Sequence, residues 1–245
     1  MYGQPSIDIG LNGRPYVVYV DYNGATSDVY YDFLIESTNP LNPLTMEAND
    51  PQKVDDGLPG EPAVNSGQPD IRVDRPIERN DNTVFTGTRN YFVHIIWTQE
   101  DEPGRYSLQY AKYHPLDANI DNPDVPEIIQ RSLLPDGYAL PVDIVDPELE
   151  ITDNNYLTVI YAAMTRGYQE DPLDCHLFYT LVDNNGVVST MNTIIFEATW
   201  VVRGAYNSAS ALNHEGELYC AWDQGDPTVQ GGNFQNTIWQ RDNSH

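Results

Sequence analysis

The stretch Pro5-Ser6-Ile7-Asp8-Ile9 and the segment after it decide the fold of this chain. Polar and apolar side chains alternate in it, as in a β-strand with two different faces. Asn12-Gly13 then gives a turn signal, and Tyr16-Val17-Val18-Tyr19-Val20 is a second strand-like run. Asn23-Gly24 marks another turn before Asp28-Val29-Tyr30-Tyr31. The stretch therefore predicts three consecutive strands joined by short connections.

The same order of three runs recurs three more times along the chain. Further first-strand runs are Pro69-Asp70-Ile71-Arg72-Val73-Asp74, Pro141-Val142-Asp143-Ile144-Val145-Asp146 and Asn207-Ser208-Ala209-Ser210-Ala211. Second and third strands follow at Phe92–Trp97 and Ser107–Tyr110, Leu157–Tyr161 and His176–Tyr179, and Leu218–Trp222 and Asn236–Trp239. The first strands begin 64, 72 and 66 residues apart. A repeat made of strands predicts an all-β fold, a β-propeller-like array of about four degenerate four-stranded blades.

The repeat fills nearly the whole chain, so we expect one domain over residues 1–245. The blade units are expected at about 5–68, 69–138, 139–204 and 205–245. Candidates for the fourth strands lie in the long segment 38–67, at Glu127–Leu134 and at Asn192–Ala198.

The last blade is expected to be incomplete, because no fourth-strand run follows Trp239. Exposed sheet edges tend to be paired, covered or charged. The sequence therefore predicts that another protein subunit, or a second copy of this chain, covers the open edge of the last blade. The alternative is an edge protected by its own charges at Arg241 and Asp242.

The charge balance is strongly acidic, with 37 acidic residues against 12 basic ones and a net charge of −25. Only Lys53 and Lys112 are lysines, and Asp outnumbers Glu by 24 to 13. Such a surface repels phosphate backbones and excludes nucleic acid as a partner. It also repels itself in dilute buffer, and salt relieves this repulsion. We favour a protein adapted to high salt over an ordinary acidic extracellular protein.

Apolar runs of about 20 residues, the length that spans a bilayer, are absent from the sequence, so we expect no membrane insertion. The first residues also lack a basic segment followed by an apolar stretch, so no secretory signal is expected here. Two cysteines, Cys175 and Cys220, fall in neighbouring units. They could form a disulfide or remain buried free thiols, and two cysteines alone do not define a disulfide framework.

The pattern Pro5-Ser6-Ile7-Asp8-Ile9, followed by Asn12–Asp21 and Ser27–Tyr31, resembles blades of the sialidase-like β-propeller superfamily. The resemblance implies a propeller fold across most of the chain, although the superfamily would have six blades where this sequence shows four. Its catalytic set would comprise three arginines, a tyrosine nucleophile paired with a glutamate, and an aspartate acid/base. The Ser-X-Asp-X-Gly-X-Thr-Trp box is absent, and Arg14 falls in a turn, so no catalytic residue is assigned.

The densest run of mixed charge contains Arg72, Asp74 and Arg75, followed by Glu78 and Arg79. Arginine can hold a carboxylate or sulfate through two parallel hydrogen bonds, which makes this run a candidate ligand-binding site. The alternative is an ion-pair network that only supports the fold.

Loop residues supply the other ligand-binding candidates: Arg166 and Tyr168 in the third unit, Tyr22 in the first and Phe234 in the fourth. Aromatic side chains in such loops can stack on sugar rings. Asp8, Asp74 and Asp146, near the ends of first strands, are weaker candidates for a glycosidase pair because acidic residues are abundant. Acidic turns such as Asp121–Asp124 lack calcium-loop spacing, and no metal or cofactor is expected.

These observations favour a non-enzymatic recognition or structural propeller located outside the cell or on a virion surface. We expect it to bind a surface glycan or a partner protein in a high-salt environment. A capsid or tail appendage of a virus that infects a salt-loving host would account for the charge and the open edge together. The alternatives are a glycoside-active fragment of a sialidase-like enzyme and a subunit of a secreted surface complex.

Overall fold

The structure is a computed structural model that describes sixteen segments of the chain. These are residues 5–10, 13–23, 26–36, 46–48, 51–55, 65–74, 92–102, 105–113, 127–128, 142–152, 157–165, 174–182, 188–196, 204–213, 217–225 and 235–241. Every regular element within them is a β-strand. The predicted all-β fold is confirmed.

The first sheet contains strands β1 (Ser6–Ile9), β2 (Pro15–Asn23), β3 (Thr26–Glu36), β4 (Met46–Ala48) and β5 (Gln52–Lys53). Strands β1 to β4 follow one another in sequence order, and β5 also pairs with β3; all these pairs are antiparallel. The Asn-Gly signal before β2 was correct, because Gly13 adopts a positive φ of 75° in the β1–β2 turn. Glycine reaches this conformation without the steric cost of a side chain.

The second sheet contains β6 (Ser66–Val73), β7 (Val93–Glu102), β8 (Arg105–Tyr113) and β9 (Glu127–Ile128). These four strands are antiparallel and also follow sequence order. Of the predicted fourth-strand segment Glu127–Leu134, the structure describes residues 127 and 128, and these form the short strand β9.

The third and fourth units share one sheet. The third unit contributes β10 (Val142–Ile151), β11 (Leu157–Thr165), β12 (Asp174–Val182) and β13 (Val188–Phe196). The fourth contributes β14 (Gly204–Leu212), β15 (Leu218–Gly225) and β16 (Gln235–Arg241). A single parallel residue pair, Cys175 with Gly204, joins β12 to β14, and all other pairs are antiparallel.

The first strands of the four units lie side by side, with β1 against β6, β6 against β10 and β10 against β14. Sequential antiparallel sheets whose first strands are neighbours form a propeller-like array, and we call each unit a blade. The array of blades predicted from the repeat is therefore the observed fold. Within the described residues the fourth blade has three strands.

Three of the four first strands contain a bulge at the same place. The register with the second strand shifts between Gly67 and Asp70 in β6, between Val145 and Glu148 in β10, and between Tyr206 and Ala209 in β14. Bulges bend a strand and re-aim the side chains after it. Residues after the bulges, such as Asp70 and Arg72, meet the neighbouring blades.

These residues define a repeated five-residue segment, which we call the inner segment. It covers residues 5–9, 69–73, 147–151 and 208–212, and the first three begin with proline. The third and fifth positions face the preceding blade, as shown by Ile71 and Val73, which are buried in one apolar cluster with Tyr16 and Val18 of the first blade. The second and fourth positions face the following blade, since side chains alternate along a strand.

The inner segment corrects one detail of the sequence interpretation. The third first strand was expected at 141–146, but it continues through the bulge to Ile151. The segment equivalent to Pro5–Ile9 is therefore Pro147-Glu148-Leu149-Glu150-Ile151. The prediction aligned the wrong proline because both stretches alternate polar and apolar residues.

Candidate functional site

Charged side chains at the second and fourth positions of the inner segments form the most extensive polar arrangement in the described residues. We call this set the inner-strand cluster, and it comprises Asp8, Asp70, Arg72, Glu148 and Glu150. The members come from the first, second and third blades, and each is half-buried. The inner segment brings them together because its second and fourth positions point to the following blade.

Two aspartates of the cluster connect one blade to the next through backbone amides. The Asp8 carboxylate accepts hydrogen bonds from its neighbour Ile9 at 2.8 Å and from the Val73 amide of the second blade at 2.8 Å. Asp70 repeats the arrangement one blade further on, because its Oδ2 accepts from the Leu149 amide of the third blade at 2.8 Å. Its Oδ1 accepts a hydrogen bond from the Ser6 hydroxyl of the first blade.

Arg72 joins the second blade to the third. Its guanidinium donates to Asp70 Oδ1 at 2.9 Å, to the Ile71 carbonyl at 2.7 Å and to Glu150 Oε1 at 3.1 Å. Burial by itself lowers the pKa of Arg72, but Asp70 and Glu150 outweigh it and raise the pKa above its ordinary value. The side chain therefore stays charged, and its planar donor group binds carboxylates from two blades.

Glu148 is the member with the most altered acidity. Burial raises its pKa to about 7, and the nearby carboxylates Asp70 and Glu150 add to this effect, although a hydrogen bond from the Ser210 backbone amide opposes it. Glu148 thus connects the third blade to β14 of the fourth blade and is about half protonated near neutral pH. Burial, Glu148 and Glu150 also raise the pKa of the Cys220 thiol to about 12.

A second polar group lies inside the second blade. The ring of His94 lies between Asp74 Oδ1, 2.8 Å from Nε2, and the Tyr110 hydroxyl, 2.8 Å from Nδ1. Burial lowers the pKa of His94 despite Asp74, so the ring is neutral. Nε2 then donates to Asp74, and the tyrosine hydroxyl donates to Nδ1. Asp74 also accepts from the Phe92 amide at 3.0 Å, so this group fixes the end of β6 to the start of β7.

The predicted ligand-binding residues fall into three groups. Arg72 contacts Asp70 in its own blade and Glu150 in the third blade. Asp74 contacts His94 within the second blade. Tyr22 lies near the end of β2 and is one of the few large apolar side chains with high exposure. Arg75, Arg166, Tyr168 and Phe234 lie outside the described residues, so their role in binding stays a prediction.

Sequence reasoning missed Glu148, Glu150 and His94 as members of polar groups. The signal for the glutamates was the alternation Pro147-Glu148-Leu149-Glu150-Ile151, which repeats Pro69-Asp70-Ile71-Arg72-Val73. His94 is fully buried on the second strand of its blade. Cys220 is a buried free thiol, which agrees with the second of the two alternatives for that residue.

The described residues contain no group of three or more His, Cys, Asp or Glu side chains able to hold a metal ion. A search of the same part of the chain finds no helix with the length and hydropathy needed to cross a membrane.

Comparison with known proteins gives a likeness of fold. No protein-family model matches the sequence, and no curated protein sequence matches it. An exo-1,5-α-L-arabinanase from a bovine ruminal metagenomic library is 12% identical, with a TM-score of 0.45 over 96% of this chain and 73% of that one. An α-L-arabinanase from Cellvibrio cellulosa is 15% identical, with a TM-score of 0.44 over 96% and 71%. The polysaccharide lyase Uly1 is 12% identical, with a TM-score of 0.45 over 98% and 50%. Similarities at this level concern the chain path and carry no statement about activity.

Proposed function

We propose that this chain is a non-enzymatic recognition or structural propeller that acts outside the cell or on a virion surface. It binds a surface glycan or a partner protein in a high-salt environment. The observation that carries the proposal is the set of contacts that the inner-strand cluster makes between neighbouring blades. Asp8, Asp70 and Arg72 are engaged in joining neighbouring blades, a structural task that occupies them in the folded protein.

The ligand surface is assigned to Tyr22, which lies on β2 rather than in the loop where it was expected, and to the predicted loop residues Arg166, Tyr168 and Phe234. An exposed tyrosine offers a flat apolar face to a sugar ring, and its hydroxyl can still contact water. The excess of acidic residues favours a setting in which salt screens the charge of −25.

The test is binding of the labelled protein to an array of glycans and cell-envelope fractions in molar KCl. Saturable binding to a defined glycan should fall at least about tenfold in Tyr168→Ala or Tyr22→Ala, as expected for loss of one stacking contact. Tyr22→Phe is the matched control, because it keeps the ring and should keep the binding. A folded protein that binds nothing on the array would refute glycan recognition and favour the structural role.

Glycoside hydrolysis is the second candidate, and one observation favours it. A carboxyl group with a pKa of about 7 beside other carboxylates is the usual chemistry of a general acid, and Glu148 has these properties. This candidate predicts turnover of a chromogenic glycoside that is lost in Glu148→Gln and kept in Asp21→Asn, which changes an exposed carboxylate on β2. No turnover by the unmodified protein across a panel of glycosides would exclude it for that panel.

A further inference from the structure

Blade one is built like an interior blade, although its outer face is open. The third and fifth positions of the inner segment are Ile7 and Ile9 in blade one, Ile71 and Val73 in blade two, and Leu149 and Ile151 in blade three. Ile71, Val73 and Leu149 are fully buried and Ile151 is 7% exposed. Ile7 and Ile9 hold the same positions but are 58% and 52% exposed.

The difference follows from position in the array. In blades two and three these side chains pack against the preceding blade, while in blade one nothing in the described residues covers them. Burying one large aliphatic side chain that would otherwise be exposed stabilises a protein by roughly 1.5–3 kcal/mol. Two such side chains on one sheet face therefore favour a covered face. We call the face that carries Ile7 and Ile9 the blade-one face.

The face at the other end of the array carries small side chains instead of large ones. The second and fourth positions of the inner segment carry the polar pairs Ser6 and Asp8, Asp70 and Arg72, and Glu148 and Glu150 in the first three blades. In blade four the same positions are Ala209 and Ala211, and both are exposed. We call this the blade-four face. Its opposite side is packed, because Cys220 and Leu218 behind it are buried.

We propose that the blade-one face of one molecule packs on the blade-four face of a second copy of this chain. The contact has the same form as the junctions within the chain. In each junction, the second and fourth positions of one inner segment face the third and fifth positions of the next. Large Ile7 and Ile9 meet small Ala209 and Ala211, which allows the two surfaces to interdigitate. This head-to-tail contact uses sheet faces and is distinct from pairing along the open strand edge of the last blade.

The chemistry of the blade-four face explains why this junction would form between molecules. The three junctions within the chain include polar side chains that bind the next blade, whereas alanines offer only apolar contact. Two molecules with a charge of −25 each repel one another, so association strengthens as salt screens the repulsion. Two copies can satisfy both open faces at once through two equivalent contacts related by a twofold axis.

The experiment measures mass in solution by light scattering and sedimentation, in dilute buffer and in molar KCl. The monomer mass is 27.6 kDa, and the expected result is a salt-dependent doubling of that mass. Ile7→Glu and Ala211→Glu should each weaken association at least about 30-fold, the effect of losing a central interface contact. Pro51→Glu is the control, because it introduces the same charge at an exposed position outside the inner segments.

Mixing the two defective variants separates this arrangement from its alternatives. Each variant keeps the face that the other has lost, so a one-to-one mixture restores one of the two contacts and should associate more tightly than either variant alone. Association abolished by Ile7→Glu and unaffected by Ala211→Glu would overturn the head-to-tail contact in favour of one through blade-one faces. A mass of one chain at every salt and protein concentration would overturn the second copy as the occupant. Circular dichroism of each variant shows that it keeps its β-sheet content.

Discussion

The two faces of strand β6 meet their neighbouring blades with opposite chemistry. Ile71 and Val73 point to the first blade and are fully buried in an apolar cluster with Tyr16 and Val18. Asp70 and Arg72 point to the third blade and bind Leu149 and Glu150 through hydrogen bonds and an ion pair. One strand with a two-residue period thus supports both junctions.

The apolar face and the charged face of β6 control different properties of the fold. Apolar burial is nearly indifferent to salt and pH, and it supplies most of the free energy of packing. Ion pairs that remain partly exposed supply less, but they require particular partners at particular positions. We infer that the apolar face holds the blades together and the charged face fixes how one blade is placed on the next.

The largest effect should come from the apolar face. Ile71→Ala removes a fully buried side chain, and we expect it to lower the free energy of unfolding by about 2–5 kcal/mol. Ile7→Ala is the matched control, because Ile7 holds the same third position on the exposed blade-one face and should cost under about 0.5 kcal/mol in dilute buffer. Urea unfolding of both variants measures the difference. Equal losses would contradict the assignment of faces.

Arg72→Ala should have the next largest effect. It removes the cation between Asp70 and Glu150 and leaves two partly buried carboxylates facing one another, so we expect a loss of about 1–3 kcal/mol. Solvent screening keeps this value below that of a fully buried pair. The loss should shrink in molar KCl, while that of Ile71→Ala should not. A loss that does not change with salt would argue against the ion pairs.

Removing the Asp8 carboxylate should have a smaller effect. Asp8→Ala leaves the Val73 amide without its acceptor, and we expect a loss of about 1 kcal/mol. Asp21→Ala, at an exposed position on β2, is the control and should change stability little. Hydrogen exchange of the Val73 amide, which should become faster only in Asp8→Ala, reports the contact directly.

Glu148→Gln should change the pH dependence of stability. The pKa of Glu148 is raised to about 7 in the folded protein, against an ordinary value of 4.5. The folded protein therefore holds this proton more tightly, so the contribution of Glu148 to stability is greatest below about pH 4.5 and is lost as pH rises to about 7. The glutamine variant lacks this titration.

The check is the difference in unfolding free energy between the unmodified protein and Glu148→Gln at several pH values. We expect this difference to fall by roughly 1 kcal/mol between pH 4.5 and 7, after allowance for solvent screening, and to stay flat above pH 7. A difference that stays constant from pH 4.5 to 8 would show that Glu148 titrates normally.

Much of the fold could be predicted from the sequence because strand alternation and turn chemistry are local. The runs at Tyr16–Val20, Leu157–Tyr161 and Leu218–Trp222 all fall within observed strands. The start of the third inner segment could not be predicted, since the choice between Pro141 and Pro147 depends on a bulge. That bulge is set by contact with neighbouring blades and leaves no distinct local signature.

The polar groups were only partly predictable, for a related reason. Arg72 stood out because it begins the densest run of mixed charge in the sequence, and it does lie at the centre of a charged cluster. Its partner Glu150 is 78 residues away in sequence, so the pairing appears only when the inner segments are placed side by side. Asp74 was grouped with Arg72 from proximity in sequence, but it faces His94 inside its own blade.

The most direct test of this account is a double-mutant cycle on Arg72 and Glu150, whose side chains meet across two blades at 3.1 Å. Arg72→Met, Glu150→Gln and the double variant are unfolded in dilute buffer and again in molar KCl. The account predicts a coupling free energy of about 0.5–2 kcal/mol that decreases in high salt. Additive effects, within about 0.3 kcal/mol at both salt concentrations, would contradict the claim that these inner strands join neighbouring blades through their side chains.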